Sequence, residues 1–119
     1  MNNVNFGRNG EKIAEKYLKK KGYKIIQNNF TTQIGEIDLI VKDNDVTVFV
    51  EVKTRADVRY GLPKEAVNYH KQKKYSQVGM QYIKTNNLLN TKCRFDVIEI
   101  LGQDFKDINH IINAFDYIK

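Results

Sequence analysis

The chain has 119 residues, of which 41% are hydrophobic and 29% charged, so it can form one buried core but not two ordinary domains. This composition excludes a globally disordered chain, and we expect a single domain over residues 1–119. Twenty Lys and Arg against fourteen Asp and Glu leave a net charge of +6, which favours polyanionic partners, nucleic acid above all, without requiring them.

Two further features bear on where the protein works. The initial segment MNNVNFGRNGEK has no apolar run, so we expect neither a signal peptide nor a transmembrane helix. Cys93 is the only cysteine of the sequence, which excludes an intramolecular disulfide bond and is typical of a reducing compartment. We therefore expect a cytoplasmic protein.

The first half of the chain is predicted to contain one helix and three strands. The segment NGEKIAEKYLKKKG has strong helix formers between Asn9, a candidate N-cap, and Gly22, a stop signal. A strand is predicted in YKIIQNNF, residues 23–30, because aromatic and β-branched residues favour strands. Two more strands flank the turn KDND at residues 42–45.

The second half is predicted to add a helix, a strand and an end of uncertain type. A loop that contains Pro63 leads into a helix that begins at Lys64 or Asn68 and ends at Thr85. The alternating segment CRFDVIEIL, residues 93–101, predicts a strand, whereas the periodicity of the tail INHIINAFDYIK favours neither element. The predicted order α-β-β-β-α-β is that of a mixed α/β domain.

The two strands around the turn place charged residues in phase with each other. Side chains alternate along a strand, so the odd-numbered aliphatic residues of 37–41 share one face, as do the even-numbered valines of 46–52. If both faces pack on one core, a turn at residues 44–45 pairs Asp43 with Val46 and fixes the register. The predicted pairs include Ile37 with Val52, Leu39 with Val50, Val41 with Val48, Asp38 with Glu51, and Glu36 with Lys53.

A carboxylate pair across two strands needs a physical reason. Asp38 and Glu51 would have Cβ atoms about 5 Å apart, and like charges at that distance destabilise a sheet. A divalent cation between them removes the repulsion, and Mg²⁺ takes one or two carboxylates together with water and phosphate oxygens. Lys53, on the same face, can orient a water and offset negative charge during phosphodiester attack. The hairpin thus predicts a metal-dependent phosphodiesterase site.

A purely structural interpretation of the same residues stays open. Charged residues are ordinary on the solvated face of a hairpin, and Glu36 with Lys53 can be a plain cross-strand ion pair. Phe49 and Ile40 lie on that face, however, and a face with such apolar residues is more readily covered than a solvated one.

These residues resemble a known pattern. Asp38 followed by the segment EVK at 51–53 is similar to the D…(D/E)-x-K signature of restriction-endonuclease-like nucleases, which include archaeal Holliday-junction resolvases. The motifs GEKIAEKYL, GEIDLI, VFVEVKTR, G-P-EAV and RFDVI resemble the YraN family of small bacterial proteins over roughly residues 7–100. One departure is Ile37, which replaces the proline often found before the aspartate; that proline is not a ligand.

The resemblance implies a fold and residue roles. It implies a restriction-endonuclease-like α/β domain with a mixed β-sheet flanked by helices. It further implies that Asp38 and Glu51 hold Mg²⁺, or alternatively Mn²⁺, and that Lys53 is the catalytic lysine. Resolvases add a glutamate from the first helix as a further metal-binding and catalytic residue, and Glu11 matches it.

Helical periodicity bears on Glu11 independently of the family. Glu11 lies at the edge of the apolar arc formed by Gly10, Ala14, Tyr17 and Leu18. The alternative is an acid in the first helical turn that only interacts with the helix dipole.

Three basic residues are candidates for contacts with nucleic acid. Arg55 and Arg59, in or next to the loop after the EVK strand, can bind phosphates, although loop arginines are usually only solvated. Lys71 lies on the apolar side of the second helix, where it either points toward substrate or extends past the core to water.

Three other residues are expected to be structural. Tyr75 falls on the buried stripe of the second helix, Lys74 falls on its solvated face, and Asp96 is a candidate ion-pair partner.

The expected function is a Mg²⁺-dependent endonuclease that hydrolyses phosphodiester bonds in DNA, with branched or structured DNA as the expected substrate. The alternative is a nucleic-acid-binding module whose metal site is vestigial or regulatory and which cleaves nothing. Resolvase-like enzymes act as homodimers, but the sequence contains no signal for a dimer interface.

Overall fold

The computed structural model describes residues 3–55, 68–101 and 107–119, with the side chains of residues 3–9 and of Arg55 left outside the description. Within these ranges it contains helices α1 (Asn3–Lys20) and α2 (Tyr69–Thr85) and strands β1 (Lys24–Thr31), β2 (Glu36–Asp43), β3 (Val46–Arg55), β4 (Cys93–Leu101) and β5 (Asp107–Phe115). The ambiguous tail is therefore largely a strand. The predicted bounds of β4 are confirmed.

The strands of the described ranges form one mixed sheet in the order β1-β2-β3-β4-β5. Strands β3 and β4 are parallel, and the other neighbouring strands are antiparallel. A parallel pair needs a crossover connection, and the chain between β3 and β4 contains α2. The expected α/β class is confirmed, and the architecture is consistent with a restriction-endonuclease-like fold with β5 added.

Each helix covers one face of the sheet and forms its own core. On one face, Ala14 and Leu18 of α1 pack on fully buried aliphatic residues of the three central strands: Leu39, Val41, Val48, Val50, Ile98 and Ile100. On the other face, Val78, Tyr82 and Ile83 of α2 pack on a more aromatic set: Ile37, Ile40, Phe49 and Phe95. The buried residues on the α1 side are therefore aliphatic, whereas those on the α2 side include aromatic rings.

The helix ends follow local signals, with one exception. After α1, Gly22 has a φ of +93°, its N–H donates to the Lys19 carbonyl, and the Tyr23 N–H donates to that of Leu18, which is a Schellman motif. The Asn68 side chain caps α2 by accepting a hydrogen bond from the Lys71 N–H. The prediction that α1 begins after Asn9 is wrong, because the helix starts at Asn3; tertiary context overrides weak propensities.

The predicted register of the β2–β3 hairpin is confirmed up to a defined point. Asp43 pairs with Val46, and the register continues in phase to Leu39 and Val50. Beyond that pair, β2 remains paired only with β1. The predicted backbone pairs of Ile37 with Val52, of Asp38 with Glu51 and of Glu36 with Lys53 are therefore wrong.

Ile37 shows the consequence of this early end of the ladder. It was expected to share the face of Leu39 and Val41, but its side chain packs with Ile40 and Phe49 on the α2 side. Side chains alternate between the two faces of a sheet only along a regularly paired strand, so a residue beyond the end of the pairing can lie on the other face.

The two helices have a further property in common. Neither of them, over the part of the chain that is described, is long and apolar enough to cross a membrane.

Gly10 provides a test of how α1 sits against the sheet. A Cβ at this position would collide with the Cγ2 of Thr54 in β3, while the next Thr54 atom lies 3.5 Å away. We expect Gly10→Ala to lower the free energy of unfolding by about 1–3 kcal/mol, the usual cost of overpacking. The cost should largely disappear when Thr54→Ala removes the clashing methyl group.

The measurement is a double-mutant cycle by chemical denaturation at one pH. An equal cost of Gly10→Ala with Thr54 and with Ala at position 54 would contradict the close approach of α1 to β3. Lys12→Ala, an exposed change on the same helix, is the control and should leave stability nearly unchanged.

Candidate metal centre

An open cavity of about 290 Å³ lies between the first two turns of α2 and strands β2 and β3. The strands contribute Glu36, Asp38 and Glu51, and the helix contributes Lys71, Lys74 and Tyr75. Acidic groups therefore come from the sheet, whereas cationic groups come from the helix.

Asp38 and Glu51 meet at this cavity. Their carboxyl groups are hydrogen-bonded to each other, and Asp38 Oδ2 also accepts a hydrogen bond of 2.8 Å from the Val52 N–H. The backbone pairing of β2 with β3 has ended at this point, and the Asp38 carboxylate of β2 accepts a hydrogen bond from a backbone N–H of β3 instead. The predicted meeting of the two carboxylates is confirmed, although side chains and not backbone pairing bring it about.

The pair has an uneven electrostatic balance. Burial raises the pKa of Asp38 from 3.8 to about 8, with the neighbouring Glu51 charge as the next cause, while the Val52 N–H acts in the opposite direction. The charge of Glu11 in α1 raises it further. At neutral pH the pair therefore retains a proton, and a cation can take the place of that proton.

Glu11 is not part of a preformed three-carboxylate cluster. Its charge acts on Asp38, whereas the metal-binding and catalytic role that the family resemblance implies for Glu11 stays a prediction. Across residues 3–55, 68–101 and 107–119, no three His, Cys, Asp or Glu side chains form a group placed to hold a metal ion. The close pair of carboxyl groups is Asp38 and Glu51.

Lys53 lies beside this pair on β3. Its Nζ is 3.5 Å from Glu51 Oε1, and both side chains are mostly buried. The alternative ion pair of Lys53 with Glu36 does not follow from the register, and Glu36 instead accepts a hydrogen bond from Thr31. Lys53 is therefore held close to the acidic pair.

Glu99 is a residue that the sequence analysis missed. It is only 1% exposed, it is the β4 partner of Lys53 in the parallel ladder, and it accepts a hydrogen bond of 2.6 Å from Asn109. An acidic residue inside the apolar segment FDVIEI was the available signal, because a fully buried carboxylate needs polar partners.

Tyr75 is the second residue whose role was missed. It lies on the buried stripe of α2, as predicted, but its hydroxyl is hydrogen-bonded to Glu51 in the cavity. Burial and the charge of Glu51 raise the pKa of Tyr75 above its usual value, so the hydroxyl keeps its proton and donates it. The signal was the polar tip of a tyrosine on an apolar face.

The candidate contacts with nucleic acid have different outcomes. Lys71 lines the cavity, and its contact with a substrate stays a prediction. Lys74 also lines the cavity and does not belong only to a solvated face. Arg55 ends β3 but its side chain lies outside the described residues, as does all of Arg59.

Asp96 forms a separate polar cluster with residues of β4 and β5. It accepts hydrogen bonds from Arg94 Nε at 3.0 Å and from the Asn113 N–H at 2.9 Å, and lies 2.7 Å from His110 Nε2. Burial alone would raise the pKa of Asp96, but the bonds to His110 and Arg94 outweigh it and lower the pKa. The predicted ion-pair role of Asp96 is confirmed.

Comparison with known proteins gives consistent matches along the chain. Residues 10–100 match the model of a family described as "Uncharacterised protein family UPF0102". A UPF0102 protein of Caldanaerobacter subterraneus subsp. tengcongensis is 49% identical, over 97% of this chain and 98% of its own length. A UPF0102 protein of Clostridioides difficile is 50% identical, over 97% of this chain and 100% of its own length. The names of these relatives state no activity.

Asp38 gives a prediction about stability and pH in metal-free protein. Because the folded state holds a proton that the unfolded state releases near pH 4, stability should fall as pH rises from about 4 to about 8. The fall is at most about 1.4 kcal/mol per pH unit. Asp38→Asn carries no such proton, so its stability should exceed that of the wild type increasingly over this range.

The measurement is chemical denaturation in EDTA at several pH values. Asp45→Asn, an exposed change at the hairpin turn, serves as the control and should follow the wild type. If the stability of the wild type and that of Asp38→Asn change with pH in parallel, the pKa of Asp38 is not raised in the folded protein.

Proposed function

Because the chain belongs to the uncharacterised protein family UPF0102, which is the YraN family, we propose its activity from the geometry of the site: a metal-dependent endonuclease that hydrolyses phosphodiester bonds in DNA. The expected family membership is confirmed. The observation that carries the proposal is the half-buried Asp38–Glu51 pair, which lines a cavity that lysines also border.

The donor set fits a hard divalent cation. Asp38 and Glu51 supply oxygen ligands, and Mg²⁺ commonly uses one or two carboxylates with water and substrate phosphate. Mn²⁺ accepts the same ligands. The proton retained by the pair supports this assignment, because it marks a position where the surrounding residues leave negative charge uncompensated. Glu11 adds a third negative charge near Asp38.

In the proposed hydrolysis, the acidic and the basic residues of the site have different roles. A bound divalent ion would lower the pKa of a water and polarise the phosphate. Asp38 and Glu51 hold their carboxylates toward the cavity, and Lys53 stabilises negative charge that develops on the phosphate. Lys71 and Lys74 attract the phosphate backbone toward the acidic pair.

The wider context agrees with DNA as substrate. The net charge of +6 favours a polyanion, and the lone Cys93 suits a reducing cytoplasm, where the chromosome of a bacterium lies. Branched or structured DNA is the proposed substrate, in line with the resemblance to resolvases.

A second candidate function is a nucleic-acid-binding module that does not cleave. It is favoured by the lack of a preformed three-ligand group in the described part of the chain. Two carboxylates can bind an ion that regulates affinity without providing the full set of ligands that catalysis requires.

Three substitutions separate these functions. If the metal mechanism holds, Asp38→Asn, Glu51→Gln and Lys53→Met should each lower cleavage at least about 100-fold, since each removes charge at the reacting phosphate. Their effects should be strongly non-additive, because the residues act as a unit. The assay uses linear duplex, flap and four-way-junction DNA with Mg²⁺, Mn²⁺ or EDTA.

Matched controls make these changes away from the cavity. They are Asp45→Asn, Glu15→Gln and Lys42→Met, and cleavage should survive in all three. Asp38→Asn and Glu51→Gln should bind DNA as well as the wild type or more tightly, because they remove negative charge. A wild type that cuts none of the substrates but binds them would establish the binding module instead.

The cationic border of the cavity makes DNA affinity depend on salt. Affinity should fall steeply with salt, and Lys71→Ala combined with Lys74→Ala should reduce the slope of log affinity against log salt by about 1–2. Lys84→Ala, at the other end of α2, should leave the slope nearly unchanged. Fluorescence anisotropy with a labelled junction measures both; a flat salt dependence in the wild type would contradict an electrostatic footprint.

A further inference from the structure

Glu51 is held from one side by α2. Tyr75 has its hydroxyl hydrogen-bonded to the Glu51 carboxylate, and the two residues line the same cavity. Two turns of α2 further on, Tyr82 packs edge-on against Phe30 and Phe49 in the core. Of these two tyrosines, Tyr75 is the one that contacts the acidic pair.

The ring of Tyr75 is fixed by aromatic packing. It stacks on Phe115 of β5 with centroids 6.1 Å apart and an angle of 25° between the planes. Phe115 in turn stacks on Phe95 of β4 at 4.9 Å and 18°. Phe115 of β5 therefore holds the Tyr75 ring, and Phe95 of β4 holds Phe115, so this packing fixes the position of the Tyr75 hydroxyl.

A small void beside Glu51 shows why this restraint matters. The void has a volume of about 10 Å³ and is lined by Glu51, Tyr75 and a largely apolar wall that includes Phe49, Phe95 and Phe115. Glu51 thus borders unfilled space. A hydrogen bond to one of its carboxylate oxygens restrains the side chain beside this void.

We propose that Tyr75 is a positioning residue that holds one carboxylate oxygen of Glu51 and leaves the other directed toward Asp38 and an incoming cation. This inference rests on the proposed metal site and deepens it. Asp38 accepts a hydrogen bond from the Val52 N–H in the same manner, so each member of the pair has a donor fixed by the fold. Glu51 Oε1 also lies 3.5 Å from Lys53 Nζ. Hydrogen bonds of this kind to metal ligands set their orientation and raise metal affinity.

The test is Mn²⁺ binding without DNA, measured by titration calorimetry. Tyr75→Phe keeps the ring and its stacking but removes the hydroxyl, so Mn²⁺ affinity should fall about 10–100-fold while the melting temperature stays nearly unchanged. Tyr82→Phe is the matched control on the same helix and should bind Mn²⁺ as the wild type does. Equal affinity of Tyr75→Phe and the wild type would overturn the inference.

A metal-free measurement separates this inference from the proposed function. High-resolution crystal structures of the apo wild type and of apo Tyr75→Phe should show Glu51 in one conformer in the former and in several in the latter. If the wild type binds no Mn²⁺, the proposed metal site fails, and these conformers still decide the role of Tyr75. A single unchanged Glu51 conformer in both proteins would refute that role.

Discussion

The close approach of two carboxyl groups, Asp38 and Glu51, is the constraint around which the α2 side of the sheet is organised. Like charges this close destabilise a sheet, and burial of Asp38 increases the cost. The β2–β3 ladder extends from the hairpin turn only to Leu39, the residue that follows Asp38, and the Asp38 carboxylate accepts a hydrogen bond from the Val52 N–H. Tyr75 and Lys53 contact Glu51. Because the close carboxyl pair and the early end of the β2–β3 ladder each destabilise the fold locally, this arrangement is explained more readily by function than by stability.

A comparison of half-buried Asp38 with fully buried Asp96 supports this interpretation. Asp96 accepts hydrogen bonds from two groups, lies against His110, and has a lowered pKa, so its negative charge is compensated inside the protein. Asp38 has one backbone donor and an acidic neighbour, and its pKa is raised. Both are aspartates on central strands of one sheet, but Asp38 borders the open cavity of about 290 Å³, whereas Asp96 borders the small void beside Glu51. The charge left uncompensated in the fold therefore faces the solvent side where a ligand can enter, which is typical of functional sites.

How much could be predicted from the sequence depends on whether a feature follows from local periodicity. The hairpin register up to Leu39 and Val50 and the bounds of β4 follow from period-two alternation and turn chemistry, and both predictions are confirmed. The facing of Ile37 could not be predicted, because it depends on where β2 leaves β3. That point coincides with a side-chain hydrogen bond, which no strand pattern encodes.

The candidate site was only partly predictable for a related reason. The acidic pair and Lys53 lie within one hairpin, so their proximity could be predicted, although side-chain hydrogen bonds and not the predicted backbone pairing bring the two carboxyls together. Tyr75 reaches the site from α2, and Glu99 pairs with Lys53 from the neighbouring strand β4; the placement of each needs the tertiary packing of the helix or the parallel register. A buried tyrosine hydroxyl and a buried carboxylate are recognisable in sequence only as polar atoms on apolar faces.

The crossover through α2 joins these two halves of the site. Parallel pairing of β3 with β4 requires a long connection, and the helix in this connection lies over the same face of β3 that carries Glu51. Asn68 caps the helix, and the first turn contains no acidic residue, so the positive end of the helix dipole and Lys71 both lie near the cavity. In the proposed nuclease, α2 would attract an anionic substrate toward an acidic pair that by itself would repel it. Under that proposal the hairpin motif alone is incomplete, because its carboxylates suit a cation, whereas the approach of a phosphate would depend on the helix that the topology places above them.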